Sequence, residues 1–415
     1  MLNFRIGFLL GVRQIQRANQ WTNILVVTIV LFTFLNLVAV SGILTGIVDG
    51  ALRAVRSDAI GDITLKALPD ESRILDTERV LRELGTFEGI QSFTPRYEGF
   101  AIIEANYSER SDLSIEPDIV AVNIQGIDPV GENSTLNLNT LIKEGEPLTE
   151  GDRGYILIGK YYIDRYAKTY GDVFDSLKNV RPGDKVRVTA GDKTEEFIVK
   201  GIIDSKIDIV SLSVFIPELD LRRLFNRVDH NASQIFIRLK HGYDEKTVQK
   251  QLLDAGIGEV AQVQTFNEGI PKFIKDTTRT FEILSVFIGA ISIIIASITV
   301  FIIIFINILS RRRQIGILKA IGIRRQVIQY AYATQAAFYA IIGSTLGVLT
   351  VYYILVPYFE KNPIDFPYSD VMLSTNGVDI AYRYVTLFVI MIIAGILPAW
   401  MIAKQNTLNT ILGRK

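Results

Sequence analysis

Cysteine is absent from this chain, and histidine occurs only at His230 and His241. The first absence excludes disulfides, so any domain must be held by its own core. The second leaves too few ligands for a His or Cys metal cluster within one chain. Neither G-x-S-x-G nor H-E-x-x-H occurs, which removes two common hydrolase signatures. Charge is missing in four long runs: residues 18–48, 283–310, 326–359 and 384–403 contain no Asp, Glu, Lys, Arg or His. Each run meets the roughly 20 residues needed to cross a hydrocarbon core about 30 Å thick. Transporters coupled to ions normally bury ionisable groups in their spans, so this absence argues against ion coupling.

With an apolar content of 49% and a positive mean hydropathy, the chain reads as an α-helical membrane protein with four transmembrane helices and a large α+β extracytoplasmic domain between helices 1 and 2. Net charge is zero, with 44 basic and 44 acidic residues, but the signs are separated along the chain. Arg5, Arg13 and Arg17 precede the first run; residues 311–325 (RRRQIGILKAIGIRR) hold six cations and no acid; Lys404, Arg414 and Lys415 close the chain. Residues 49–282, in contrast, hold 40 acids against 30 bases. Short basic segments stay on the cytoplasmic side, so both termini and the 311–325 loop are expected inside and the acidic domain outside. The cations are thus a topology signal, and no nucleic-acid partner is expected. The first run is too long for a cleavable signal.

The order expected is a cytoplasmic amphipathic helix (1–22), a span (23–48), the outer domain with its stalks (49–282), a span (283–310), a cytoplasmic loop (311–325), a span (326–359), an outer loop (360–383), a span (384–403) and a cytoplasmic tail (404–415). Within the outer domain, GDITLKAL, IQSFTPRYEGFAII, DIVAVNIQGID, DKVRVTA, EEFIVKGII and SQIFIRL read as strands. TERVLREL and EKTVQKQLLDAG read as helices, the second closed by Gly256, and residues 190–193 as a hairpin turn. The segment that follows span 1 (GIVDGALRAVRSDAI) and the one that precedes span 2 (FNEGIPKFIKDTTRTFEILS) are not enriched in Gly, Ser or Pro, so both spans are expected to continue outside the bilayer as helical stalks.

Residues 154–161 (GYILIGKY) almost match a phosphate-binding loop, but the last position is Tyr where a Ser or Thr would hold Mg²⁺, and a strand running into a helix explains them better. Three N-x-[ST] triplets, at Asn106, Asn133 and Asn231, are expected by chance in a polar domain. In the 311–325 loop, Ile315, Leu318 and Ile321 fall at spacings of three, and Gly316, Ala320 and Gly322 permit close backbone approach. That pattern suits a short helix inserted in a partner's groove. Gly343 and Gly347 give a small-xxx-small face on the third span, against a helix of this chain or of a second copy.

These stretches resemble a known family. RRRQIGILKAIGIRRQVIQYAYATQAAFYAIIGSTLGV is similar to the coupling-helix region of ABC transporter permeases of the group that includes MacB, the lipoprotein-releasing permeases and FtsX. The close from Pro398 to Leu412 resembles the family's PAxxAxxxxPxxxL, with Thr407 near the usual Pro. VNIQGIDP, LIKEGEPL, YILIGKYYIDRY and VRPGDKVRV resemble its outer core domain. The resemblance implies a non-enzymatic permease, without cofactor or metal, that converts hydrolysis by a separate cytosolic ABC ATPase into movement of its outer domain. Arg313, Ile315, Gly316, Ile317, Leu318, Lys319, Ala320, Ile321 and Gly322 would contact that ATPase. A second permease copy or paralogue, membrane lipid, and an extracytoplasmic adaptor or cargo would complete the assembly. Lipoprotein release, lipid, peptide or drug export all fit; the alternatives are a sensor or cell-wall-hydrolase regulator and, more remotely, an outer-surface hydrolase.

Overall fold

The computed structural model describes residues 2–109, 116–167, 175–366, 369–371, 373 and 376–404. The tail with Thr407, Arg414 and Lys415 lies outside them. The chain forms two compact units, one built from the long apolar helices and one from Gly50–Asp276.

In the helical unit, the charge-free apolar runs satisfy their backbone by i to i−4 hydrogen bonds, the one solution open to a lone segment in lipid, and Pro398 stands inside the last of these helices. The elements are α1 (Leu2–Gln16), α2 (Gln20–Val55), α3 (Lys272–Ser310), α4 (Arg312–Ala320), α5 (Arg325–Thr350) and α6 (Gly377–Lys404). Helices α2, α3, α5 and α6 are each long and apolar enough to cross a membrane. The 36 residues of α2 and the 39 of α3 run for about 54 and 58 Å at 1.5 Å per residue, well beyond a core of about 30 Å. Tyr332, Ala336, Tyr339 and Ala340 of α5 are buried among Val30 and Phe34 of α2, Ile304 and Ile308 of α3, and Leu387 and Met391 of α6. Tyr339 Oη donates to Asn23 Oδ1 at 2.5 Å and accepts from Gln335 Nε2 at 3.0 Å, which satisfies the buried hydroxyl.

The uncharged run that starts at Tyr384 sits within a helix that already begins at Gly377, so Arg383 belongs to α6. Its Nη1 donates to the carbonyl of Leu37 and its Nη2 to Ser41 Oγ, both at 2.6 Å, and Ser41 Oγ lies 3.1 Å from Ser285 Oγ. The uncharged run itself stands as read, and the helix extends beyond it to include Arg383. A half-buried guanidinium is tolerated there because α2 supplies two acceptors.

The second unit is a mixed sheet with short helices. Its strands are β1 (Ile63–Lys66), β2 (Ile90–Ala105), β3 (Asp118–Ile127), β4 (Ile142–Gly145), β5 (Tyr155–Gly159), β6 (Lys185–Ala190), β7 (Lys193–Ile203), β8 (Ser213–Pro217), β9 (Gln234–Leu239) and β10 (Gln262–Thr265). They run in the order β10-β1-β9-β2-β3-β8-β5-β7-β4, and β6 joins β7 to β2. Pairing thus returns on itself through β2, β3, β8, β5, β7 and β6, so those strands form a closed ring. Only β3 with β8 and β5 with β7 pair in parallel among the described residues. Inward-facing Ile103, Val122, Ile124, Val186, Val188 and Val199 fill the ring, which is why parts of β2, β3, β6 and β7 alternate buried apolar with more exposed residues. Helix Glu245–Asp254 starts where Asp244 caps the Thr247 amide and ends before Gly256, whose φ of +83° suits glycine. Gly191, at φ +58°, turns the β6–β7 hairpin.

Where α2 ends, a π-helical turn (Arg56–Ile60) leads into β1, with Ala59 and Ile60 buried against the sheet. Arg56 Nη1 donates to Asp62 Oδ1 (2.8 Å) and Glu245 Oε1 (2.5 Å), and its guanidinium stacks 4.1 Å from the Phe266 ring. Asp58 accepts from Ser57 and Ser205, yet burial pushes its carboxyl above the usual carboxylate range. Deeper in the sheet, Arg96 and Glu132 form an ion pair excluded from solvent, with Arg96 between Phe215 and Phe236. Removing one member leaves an uncompensated buried charge. Glu132→Ala is therefore expected to lower local stability by about 3–5 kcal/mol, read as faster hydrogen exchange of the β2 amides; Glu132→Gln, which keeps an acceptor, should lose less.

Candidate functional site

Helix α4 is held at both ends. At its C-terminus the Gly322 amide donates to Lys319 O and the Ile323 amide to Leu318 O, both at 3.1 Å, with Gly322 at φ +91°. This Schellman arrangement satisfies orphan carbonyls and requires glycine, so Gly322 is a terminator; nothing packs within 4 Å of where its Cβ would be. At the other end, the Ile315 amide donates to Arg311 O at 3.2 Å.

The apolar stripe expected along Ile315, Leu318 and Ile321 does not form as one surface. Ile315 is 2% exposed and belongs to the bundle core, whereas Ile321 is 70% exposed. At 3.6 residues per turn, six positions place these two side chains about 120° apart, so a spacing of three twice over leaves the face on which it began. Gly316 is buried with Ile315, Leu318 and Lys319 are half-buried, and Arg313, Ile317 (49% exposed), Ala320 and Ile321 face outward. Lys319 is held below the usual lysine range by burial and, second, by the Arg325 charge. The outward surface is thus apolar at Ile317 and Ile321 and cationic at Arg313.

Gly343 and Gly347 pack within this chain. An added Cβ would lie 2.6 Å from Val30 Cγ1 at Gly343 and 2.5 Å from Phe34 Cδ1 at Gly347, both on α2. The same device occurs where the sequence reading found none. In α1, a Cβ at Gly7 would meet Val327 O at 2.9 Å and one at Gly11 would meet Ala331 O at 2.6 Å, so Gly7-x-x-x-Gly11 seats α1 on α5. The spacing of four between Gly7 and Gly11 is the sequence signal for this contact.

The phosphate-loop look-alike is strand β5 followed by a 3-10 turn (Lys160–Tyr162). Its Gly154 amide donates to Asp220 Oδ2 at 2.8 Å, and Lys160 pairs with Asp204. An amide already on a carboxylate cannot cradle phosphate. No group of three or more His, Asp or Glu side chains that could hold a metal occurs among the described residues.

Residues 24–255 match the MacB-like periplasmic core domain, and residues 286–407 match the FtsX-like permease C-terminal family. The chain belongs to the MacB-like permease family. Similar curated proteins include the macrolide export ATP-binding/permease proteins MacB of Campylobacter jejuni, 24% identical over 57% of this chain and 38% of that protein, and of Hahella chejuensis, 26% identical over 70% and 43%. The chain spans less than half the length of these relatives. An Escherichia coli MacB is 34% identical over 28% of this chain and 19% of its own length. Among solved structures, the periplasmic region of MacB from Actinobacillus actinomycetemcomitans is 16% identical, with a TM-score of 0.36 over 54% of this chain and 95% of its own. The extracellular domain of the Gram-positive transporter YknZ is 14% identical, with a TM-score of 0.34 over 49% and 100%. In this MacB-like chain, α4 and the glycines of α5 fall within the FtsX-like match.

Gly11→Leu should lift α1 from α5. Limited trypsin digestion of the solubilised full chain is then expected to cut at Arg13 and Arg17 several times faster than in wild type. Gly289→Leu, at a position with open space around its Cβ, should not change the rate; equal rates for both variants would show that the glycine contact does not hold α1.

Proposed function

We propose that this MacB-like permease is a subunit of an ABC transporter of the cell (cytoplasmic) membrane, driven by a separate cytosolic ATPase. It places both termini and α4 in the cytosol and residues 49–282 outside, and it works with a second copy or paralogue among membrane lipid. The observation that carries the reading is α4 itself. It is a short helix, rooted by Ile315 in the bundle and stopped by a Schellman cap, that turns Ile317, Ile321 and Arg313 outward. A helix with its own core anchor and an unburied apolar edge suits a groove on another protein. Arg313, Ile317, Ala320 and Ile321 make that contact; Ile315, Gly316 and Gly322 hold the helix in shape, with Leu318 and Lys319 at the margin.

Closure of paired ATPases would then move α4 and, through it, the bundle. Helices α2 and α3, which run unbroken for 36 and 39 residues, would relay the movement outward. Nucleotide and cargo need only favour different arrangements of the same helices for the two to be coupled. The cargo is a lipoprotein, lipid, peptide or drug handled on the outer side, with an adaptor or cargo protein docking there. The chemistry resides in the ATPase, and this chain transmits.

Ile317→Glu and Ile321→Glu place carboxylates on the exposed edge without entering the core. Each is expected to reduce transport in proteoliposomes containing the cytosolic ATPase by about tenfold or more, equivalent to about 1.4 kcal/mol of lost contact, while the thermal midpoint of the permease stays unchanged. Full transport by both variants would remove α4 from the contact. Because the chain lacks cysteine, a single Ile321→Cys variant also reports orientation: a membrane-impermeant maleimide should label it only after permeabilisation. Labelling in intact cells would overturn the topology.

A further inference from the structure

A cavity of about 300 Å³ lies within the sheet unit, at the lower end of the roughly 300–1,000 Å³ range of small-molecule sites. Strands β2, β3, β8 and β9 form one wall, and residues 59–60 and 269–274 the other. Leu212, Phe236 and Ile274 make much of the lining apolar, and Arg96, Glu98 and Gln125 put polar groups into it.

The polar groups are incompletely used. Arg96 is 5% exposed; its Nε and Nη2 donate to Glu132, and Nη1 has no acceptor among the described residues. Gln125 Nε2 donates to Ser213 Oγ, and its Oε1 has no hydrogen-bond partner among the described residues. Glu98 accepts from Gln234 Nε2 at 3.1 Å, which leaves lone pairs for another donor. Burial pushes the Glu98 carboxyl above its usual range, against the opposing charges of Arg96 and Lys66. Buried polar groups are normally satisfied, so Arg96, which lines the cavity with one nitrogen not engaged by Glu132, and Gln125, with an unpartnered Oε1, point to a partner that arrives with the ligand.

We propose that this cavity binds a small amphipathic amide, of which a short apolar peptide segment is the simplest form. Its carbonyl accepts from Arg96 Nη1, its N–H donates to Glu98, and its apolar side chains lie against Leu212, Phe236 and Ile274. On the walls Lys66 and Arg96 stand against Glu98, and Glu132, paired with Arg96 outside the lining, brings the charges into balance. A neutral ligand with both donor and acceptor therefore fits better than an anion, which Glu98 would repel. The assignment stands apart from the permease reading, because occupancy requires neither nucleotide nor ATPase.

The probe is N-acetyl-trileucine amide, titrated into the full chain in lipid nanodiscs and referenced to empty nanodiscs, with dodecanoate as an anionic probe of similar apolar character. Two variants test the site. Gly269→Leu fills the cavity from a position where an added Cβ meets nothing nearer than Thr64 Oγ1 at 3.6 Å, and Glu98→Leu removes the acceptor. Each should weaken peptide binding by about tenfold or more, with thermal midpoints at the wild-type value confirming the fold. The site is overturned if the peptide does not bind at about 1 mM or if both well-folded variants bind it as wild type does. Tighter binding of dodecanoate than of the peptide would overturn the amide assignment.

Discussion

The helical unit depends on how closely backbones approach α5. Lipid tails are as apolar as leucine, so helices in a bilayer gain little by hiding apolar surface from one another; packing and hydrogen bonds must hold them. Glycine supplies the approach on three sides. Gly343 and Gly347 accept Val30 and Phe34 of α2; Gly7 and Gly11 set α1 against the backbone of residues 327 and 331; Gly395 sets α6 against Ala336 and the carbonyl of Tyr332. In each case the nearest atom lies within 3.0 Å of an imagined Cβ, so any side chain would force the helices apart. The position of α4 follows from this, since Ile315 is buried in the same core as Tyr332 and Tyr339.

The sheet unit solves a different problem, because its core can use water exclusion directly. Closing β2, β3, β8, β5, β7 and β6 into a ring removes most exposed edges, and the closed arrangement explains why a chain without cysteine builds a stable domain. Arg96 and Glu132 are the polar cost of that core, offset by mutual pairing and by two aromatic faces. At the entry to β1, Arg56 ties the π-helical turn to Asp62, Glu245 and Phe266.

Much of this was legible in the sequence, and the gaps have physical causes. The four apolar runs, seven of the ten strands of the sheet unit and the helices Thr77–Leu84 and Glu245–Asp254 announced themselves by charge, by runs of β-branched and apolar residues and by caps. Strands β4, β8 and β10 did not, since four or five residues carry too little periodicity. β8 reads SVFIP and is buried throughout, so it lacks the alternation that marks a half-exposed strand. The π-helical turn has no sequence pattern of its own. On α4 the spacing of three does not make one stripe, because rotation carries Ile321 away from Ile315, which is buried while Ile321 is exposed. Gly322 has a backbone role that the contact pattern did not reveal, closing the helix at a φ of +91°.

Arg383 shows why counting charge-free residues mislocates a helix end. Along α2, Val27, Val30, Phe34, Leu37 and Ser41 recur at alternating steps of three and four, which keeps them on one face for four turns. The first three receive the glycines of α5, where contact is steric. The last two receive Arg383, whose two nitrogens take the Leu37 carbonyl and the Ser41 hydroxyl, and Ser41 in turn meets Ser285 of α3. One face of α2 therefore changes from close packing to hydrogen bonding along its length, and at the second stage it joins α3 and α6 at the same turn. A guanidinium there belongs to the packing scheme, and the helix that carries it has reason to begin before its uncharged run does.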